Sequence, residues 1–370
     1  MAMRAARFAL ILTLAALPLS AQSIEWWSKP FDEALAAAKA KPAGQLVLYA
    51  WRDDDGNCKA MFGGTLAEKD VAAVLGDFVC MGAKFGEAAH DAVLKKYGVA
   101  KVPTVLFLDP DGKVVDGVVG YVPKAEFLTE VQRIKAGTKT LPTLRKAAAD
   151  APADLGLQME LVRKLRALGD RAASVAVLDA VVAKEPKALS EPAAEAMLLK
   201  LTDQMAAAGD LKDYDLRPLR EFLARQKSKR ILFLGWDRVA SVEWQRDNLR
   251  VAVDAAEKAW KYIPPEQVLG WGQNVVAKAY EAWKELEKLD KTILKRVLDV
   301  SDKVLKEVEK EHKATPDPAF FANAMYLHAA LLNVNNLRKE AFALMDKAIA
   351  TDPKNDNLKK AKELWMDGSK

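Results

Sequence analysis

The sequence contains few of the residues that build metal centres and covalent frameworks. Its 370 residues include two cysteines and three histidines. Two cysteines exclude a disulfide framework and a four-thiolate metal site, and the scattered positions of His90, His312 and His328 argue against a histidine-built metal centre. Glycine-rich phosphate loops, nucleophile elbows and zinc-binding helix motifs are also absent from the sequence. We therefore predict no bound metal and no cofactor.

The chain has no large excess of charge of either sign. It carries 56 Lys and Arg against 51 Asp and Glu, a formal charge of +5, and lacks the basic stripe that marks nucleic-acid-binding proteins. We therefore expect no nucleic-acid partner. With 51% hydrophobic and 29% charged residues, the composition is typical of globular proteins, and the length predicts two or three domains.

Residues 1–21 have the pattern of a secretory signal peptide. Arg4 and Arg7 precede an apolar core over Phe8 to Leu17, and Leu19-Ser20-Ala21 is a small-residue cleavage site. The apolar core is shorter than the about 20 residues that a transmembrane helix needs, and no later stretch is long and apolar enough to span a bilayer. We therefore expect a periplasmic or secreted protein without a stable membrane span.

The remainder divides into two regions of different pattern. Over residues 22–136, short apolar runs typical of strands alternate with helical periodicity, which predicts an α/β sandwich. Residues 137–153, with Gly, Thr, Pro and Ala, are predicted to form a linker. Over residues 154–370, helical stretches are broken by Gly or Pro at intervals of roughly 35–50 residues, which predicts an all-α domain of helical hairpins.

The last predicted hairpin is the clearest. Its helices are predicted over Ala319 to Val334 and Lys339 to Thr351, and Asp352-Pro353 ends the second. This pair resembles the tetratricopeptide repeat, whose second helix carries small residues and ends at a proline. The resemblance implies a solenoid with a protein-binding surface. Tryptophans at helical spacing in this region are core residues or line a concave groove; they are Trp236, Trp244, Trp260, Trp271, Trp283 and Trp365.

Three segments of the first region together resemble the thioredoxin superfamily, in particular its exported members. Leu46 to Trp51 corresponds to the strand before the active-site helix, and Asp55 to Met61 corresponds to the redox motif. Lys96 to Thr104 corresponds to the loop in which a cis peptide bond precedes proline, here Val102-Pro103. The resemblance implies a thioredoxin-like sandwich and a loop that presents its backbone to an extended peptide.

The redox motif departs from the Cys-x-x-Cys pattern of the family. Asp55 stands at the position of the nucleophilic cysteine, and Cys58 at that of the resolving cysteine. Aspartate at a helix start is a good N-cap, and its charge disfavours a neighbouring thiolate. Tyr49 stands where many members carry a buried acid. A Cys58–Cys80 disulfide is not expected, because its Cα atoms would have to lie within about 7 Å. These departures argue against dithiol exchange.

Three functions follow from this reading. The favoured one is a protein- or peptide-binding adaptor or chaperone-like protein of the envelope, which binds partners through the proline loop and the helical repeats. The alternative is a monothiol thiol-disulfide oxidoreductase acting through Cys58, if that thiol is more than a packing residue. The third is a structural unit that positions the helical array. The candidate peptide-contacting residues are Trp51, Val102, Pro103 and Thr104.

Overall fold

The computed structural model describes residues 23–207, 209–210, 213–286 and 291–367, without the side chains of residues 206, 266, 269, 282–286 and 291. The predicted signal peptide, residues 1–21, lies outside the described residues. The described residues form two compact units, divided between Val177 and Leu178. No helix in the described part combines the length and the apolar character needed to cross a membrane.

The first unit is built on a mixed four-stranded sheet of order β2-β1-β3-β4. Strand β1 is parallel to β2 and antiparallel to β3, which is antiparallel to β4. On the outer side of β2, Trp26 forms an isolated parallel bridge with Cys80. The strand bounds are Leu46–Trp51 (β1), Val79–Lys84 (β2), Thr104–Leu108 (β3) and Val114–Val119 (β4).

Helices cover both faces of this sheet, because side chains alternate between the faces along each strand. Leu48 and its neighbours in alternation pack against α1 and α4, and Tyr49 and its neighbours pack in the core formed with α2, α3 and α5. The helices of this unit are Phe31–Ala38 (α1), Gly56–Gly63 (α2), Lys69–Leu75 (α3), Ala88–Lys96 (α4), Lys124–Lys135 (α5), Leu141–Asp150 (α6) and Leu155–Ala167 (α7).

Residues 137–153, predicted as a linker, are largely helical. Leu144 of α6 packs in one apolar cluster with Leu161 and Leu165 of α7. Pro142 lies in the first turn of α6, where the missing N–H of proline has no helical partner in any case. At the end of α7, Leu168 lies so close to Gly117 of β4 that a Cβ there would come within 2.8 Å. The first compact unit therefore continues well beyond the sheet.

The rest of the chain is helical, with no strand among its described residues. From α9 onward, helices consecutive in the chain pack against each other, most extensively α11 with α12 and α15 with α16. The prediction of an α/β sandwich followed by an all-helical region is confirmed. The bounds are Arg171–Lys184 (α8), Glu191–Ala207 (α9), Arg217–Arg225 (α10), Lys229–Gln245 (α11), Leu249–Trp260 (α12), Val268–Leu286 (α13), Lys291–Ala314 (α14), Pro318–Val334 (α15), Arg338–Thr351 (α16) and Asp356–Met366 (α17).

The tryptophans described in the helical region mostly pack inside it. Trp365 is 4% exposed and its ring is stacked on Tyr326. Trp271 contacts Trp260 and donates an indole hydrogen bond of 2.6 Å to Asp237. These contacts favour the core interpretation for these side chains; that of Trp283 lies outside the described residues.

Candidate functional site

A carboxylate occupies the helix start at which the family places its nucleophile. Asp55 is the N-cap of α2, and its Oδ1 accepts the backbone N–H of Cys58 over 2.7 Å. Such a cap satisfies one of the amide groups left unpaired at a helix start, and its negative charge is favoured by the helix dipole. Asp55 therefore stabilises the helix that carries Cys58.

Cys58 is a buried free thiol, 2% exposed. Burial raises its pKa; a hydrogen bond from the backbone of Arg52 opposes that effect, and the Asp55 carboxylate adds to it. Cys80 is also free and buried, and burial raises its pKa to about 12. The thiolate is the nucleophilic form of cysteine, so both thiols are held in the unreactive form near neutral pH.

Tyr49 lies beneath the helix start as a neutral phenol. It is 1% exposed, and its hydroxyl donates a hydrogen bond of 3.2 Å to the carbonyl of Cys58. Burial raises its pKa above the usual range, with further contributions from the charges of Cys58 and Asp55. Tyr49 can anchor α2 to β1, but it cannot supply the proton-accepting carboxylate that many members of the resembled family have there.

The acidic run before α2 is paired with neighbouring cations. Arg52 makes two hydrogen bonds, of 3.0 and 2.8 Å, to the Asp54 carboxylate, and Lys84 forms an ion pair with Asp53. Within the described residues, no group of three or more His, Cys, Asp or Glu side chains is arranged to hold a metal ion. The run forms a polar loop that leads into the helix.

The proline loop lies beside the end of β1. The Val102–Pro103 peptide bond is cis, and cross-strand pairing joins Thr104 to Ala50, the residue before Trp51. Pro103 and Thr104 are buried, and Val102 is half-buried. The carbonyl of Pro103 accepts the N–H of Gly120 over 2.8 Å. Val102 is thus the accessible member of the predicted peptide-contacting residues in this loop.

Trp51 forms part of an aromatic pocket. The rings of Trp51 and Trp26 both stack on Phe62, with centroids 6.4 and 6.2 Å away, and Phe62 is 52% exposed. The cavity has a volume of about 400 Å³ and is also lined by Trp27, Lys84 and other residues. This pocket is not among the sites predicted from the sequence; the available signals were the Trp26-Trp27 pair and an aromatic residue four positions after Cys58.

Comparison with known proteins relates the first unit to thiol-exchange proteins. A family model described as a thioredoxin-like domain matches residues 31–135. The thiol:disulfide interchange protein DsbD of Yersinia pestis is 34% identical over 109 residues, which are 28% of this chain and 18% of that protein. DsbD of Yersinia enterocolitica is 35% identical over 105 residues, 27% of this chain and 18% of that protein. The chain thus spans less than a fifth of the length of these curated relatives.

Among solved structures, a thioredoxin from Thermus thermophilus is 28% identical; the similarity covers 30% of this chain and 87% of that one, with a TM-score of 0.28. The oxidised C-terminal domain of DsbD from Neisseria meningitidis is 25% identical, covering 27% of this chain and 89% of that one, with a TM-score of 0.25. The family match and the mixed sheet with its flanking helices agree. Residues 31–135 form a thioredoxin-like domain, and the rest of the described chain is helical.

Proposed function

We propose that this protein is an exported adaptor or chaperone-like protein that binds polypeptides without exchanging disulfides with them. The observation that carries the proposal is the Asp55 cap on the Cys58 amide. A capping carboxylate stands where dithiol exchange needs a thiolate, and the remaining cysteine of the motif is buried. The signal-like residues 1–21 support export to the periplasm or beyond.

The loop around Val102 supports a binding role that is independent of the thiols. Val102 is half-buried beside buried Pro103 and Thr104, so a partner that reaches these three residues would contact Val102. Backbone groups at an exposed edge can bind an extended peptide through main-chain hydrogen bonds. The helical region and its predicted tetratricopeptide-like hairpins add a second candidate surface for partner proteins.

The alternative function is monothiol exchange through Cys58, which the names of the curated DsbD relatives favour. In that reaction the Cys58 thiolate attacks a partner's disulfide, forms a mixed disulfide and releases the partner's other sulfur as a thiolate. A second thiol from a partner then attacks the mixed disulfide and releases Cys58. The burial and raised pKa of Cys58 oppose this function.

Two assays on the chain without residues 1–21 distinguish these functions. The first measures binding of reduced, carboxymethylated α-lactalbumin, an unfolded polypeptide that has no thiol left to exchange. The second measures reduction of insulin disulfides in the presence of dithiothreitol. We expect binding that Cys58→Ser leaves unchanged, and insulin reduction at the background rate.

Controls make the negative result informative. Cys80→Ser is the matched control for Cys58→Ser, because both thiols are buried and free. The variant Asp55→Cys rebuilds the Cys-x-x-Cys motif and is expected to raise insulin reduction above background. Turnover by the unaltered chain that Cys58→Ser abolishes and Cys80→Ser preserves would establish the alternative. A lack of any binding to the unfolded polypeptide would refute the adaptor function.

A further inference from the structure

We propose that the outer edge of β2 at Gly82 binds an extended peptide and that the pocket between Trp26, Trp51 and Phe62 accepts one aromatic side chain of it. This inference rests on the proposed function and adds to it a location and a class of ligand. The location differs from the proline loop, which adjoins β3 on the other side of β1.

The direction of the backbone along β2 provides the first argument. The N–H of Val79 bonds to the Gln45 carbonyl beside β1, over 3.2 Å, whereas the carbonyl of Cys80 accepts the N–H of Trp27 on the outer side, over 2.7 Å. Backbone polar groups alternate in direction along a strand. The backbone N–H and carbonyl of Gly82 therefore point outward, like those of Cys80.

On the outer edge of β2, the backbone of Gly82 is open, whereas the backbone of Cys80 before it and of Lys84 after it is hydrogen-bonded. Among the described residues before α1, strand pairing with β2 is limited to the bridge of Trp26 with Cys80. Two residues after Gly82, the N–H of Lys84 bonds to Nδ1 of His90 over 3.1 Å. Among the described residues, no hydrogen-bond partner meets Gly82 on this outer side. An unpaired strand edge is a template for a further strand, and peptides are commonly bound in this way.

The missing side chain of Gly82 creates space for a ring. A Cβ at this position would meet the indole Nε1 of Trp51 at 3.7 Å, an ordinary contact distance, with nothing closer. The pocket has a volume of about 400 Å³, within the roughly 300–1,000 Å³ of small-ligand sites. One phenylalanine, tyrosine or tryptophan side chain fits such a volume.

The pocket walls suit an aromatic guest. The ring of Phe62 is inclined by 27° to that of Trp26 and by 19° to that of Trp51, and half of its surface is exposed. Rings in this arrangement present their faces and edges for offset stacking with another ring. An aromatic guest would cover the exposed part of Phe62 and remove apolar surface from water.

Charges at the rim indicate what should flank that aromatic residue. Lys84 is paired with Asp53 and, over 4.0 Å, with Glu87. Lys29 has no acidic partner among the described residues, and its Nζ lies 5.6 Å from the centroid of the Trp27 ring. The buried indole N–H of Trp27 has no hydrogen-bond acceptor among the described residues. A carboxylate next to the aromatic residue of the peptide would complement the charge of Lys29.

The test uses a short peptide of serine and threonine with one central Asp-Phe pair and a fluorophore at its N-terminus. Fluorescence anisotropy measures its binding to the chain without residues 1–21. We expect Gly82→Val, which fills the pocket with a residue suited to strands, and Phe62→Ser, which removes a wall, each to weaken binding about tenfold. Replacing Phe by Ser in the peptide should have the same effect on the unaltered protein.

The control variant is Gly270→Val, at an exposed helical position where a Cβ meets nothing within 4 Å; it should leave binding unchanged. Binding that tolerates Gly82→Val and Phe62→Ser but is weakened by Val102→Lys would overturn this inference and leave the proposed function intact. Equal binding of the Phe and Ser peptides would also overturn it. Failure of both this peptide and unfolded α-lactalbumin to bind would refute the proposed function itself.

Discussion

Nζ of Lys164 in α7 lies 2.7 Å from Oδ1 of Asp116 in β4, a carboxylate with no exposed surface. The other oxygen of Asp116 accepts a hydrogen bond of 2.8 Å from Arg133 of α5. A buried charge is stable only when it is paired and hydrogen-bonded. This carboxylate therefore joins the helix that follows the predicted linker to the sheet.

Variants of this ion pair should lower the stability of the first unit unequally. We expect Asp116→Ala to cost about 3–5 kcal/mol of unfolding free energy, since it leaves the largely buried Lys164 ammonium without its carboxylate and Arg133 with Glu130 as its remaining acidic partner. Lys164→Met should cost about 1–3 kcal/mol, because Asp116 keeps Arg133. Urea denaturation followed by circular dichroism measures both losses.

The control is Lys146→Met, which removes an ion pair whose two side chains are both exposed. It should change the free energy of unfolding by less than about 1 kcal/mol. A similar loss of stability in all three variants would contradict the role given to Asp116.

The charge of Asp55 should control the reactivity of Cys58. Asn also caps helices well, so Asp55→Asn keeps the helix start and removes the charge that adds to the raised pKa of Cys58. We expect the pH at which alkylation by iodoacetamide is half-maximal to shift downward, while burial still holds the pKa above its usual value.

Mass spectrometry of the alkylated peptides separates Cys58 from Cys80 in this experiment. The control is Asp54→Asn, which removes a neighbouring carboxylate that is bonded to Arg52; it should shift the profile much less. An unchanged profile in Asp55→Asn would mean that burial alone determines the reactivity of Cys58.

His328 should make the helical region less stable in acid. Its ring is 8% exposed and its Nδ1 lies 3.0 Å from Oγ of Ser301. Burial lowers the pKa of His328 below 6.5, and Lys306 lowers it further, whereas Asp302 raises it. Below pH 6.5 the unfolded chain binds the proton more readily, so stability falls as the pH decreases, until the folded form is protonated as well.

The measurement is the urea midpoint of the helical region between about pH 8 and pH 5, compared with that of His328→Gln. We expect the decrease towards acid pH to be smaller in the variant, because glutamine does not titrate. Parallel pH profiles for the two proteins would exclude His328 as the source of the dependence.

The alternation of strands and helices in the first unit and the run of helices after it could be predicted from the sequence, because both patterns depend on residues that are neighbours in the chain. Strand β1 has the predicted bounds, Leu46 to Trp51, since apolar runs bounded by turn residues are a local signal. The predicted last hairpin differs from α15 and α16 by one residue at each start. The tetratricopeptide-like character of these hairpins stays a prediction.

Features that depend on contacts between distant segments could not be predicted in the same way. The aromatic pocket joins Trp26 before α1, Trp51 at the end of β1 and Phe62 in α2, and no spacing in the sequence relates the three. The packing of residues 137–153 could not be predicted for a similar reason: their Gly, Thr and Pro are typical of a connector, whereas Leu144 and Leu161 form a cluster only in the folded chain.

The close contact of Leu168 with Gly117 shows that the packing around β4 extends beyond the segment that matches the family model. The family match ends at residue 135, but the packing that protects β4 continues through α6 and α7 to Leu168. Recombination that moved only residues 31–135 into another protein would uncover this apolar surface and leave Asp116 without Lys164. A chain that ends at residue 135 is therefore expected to be less stable than one that continues through Leu168.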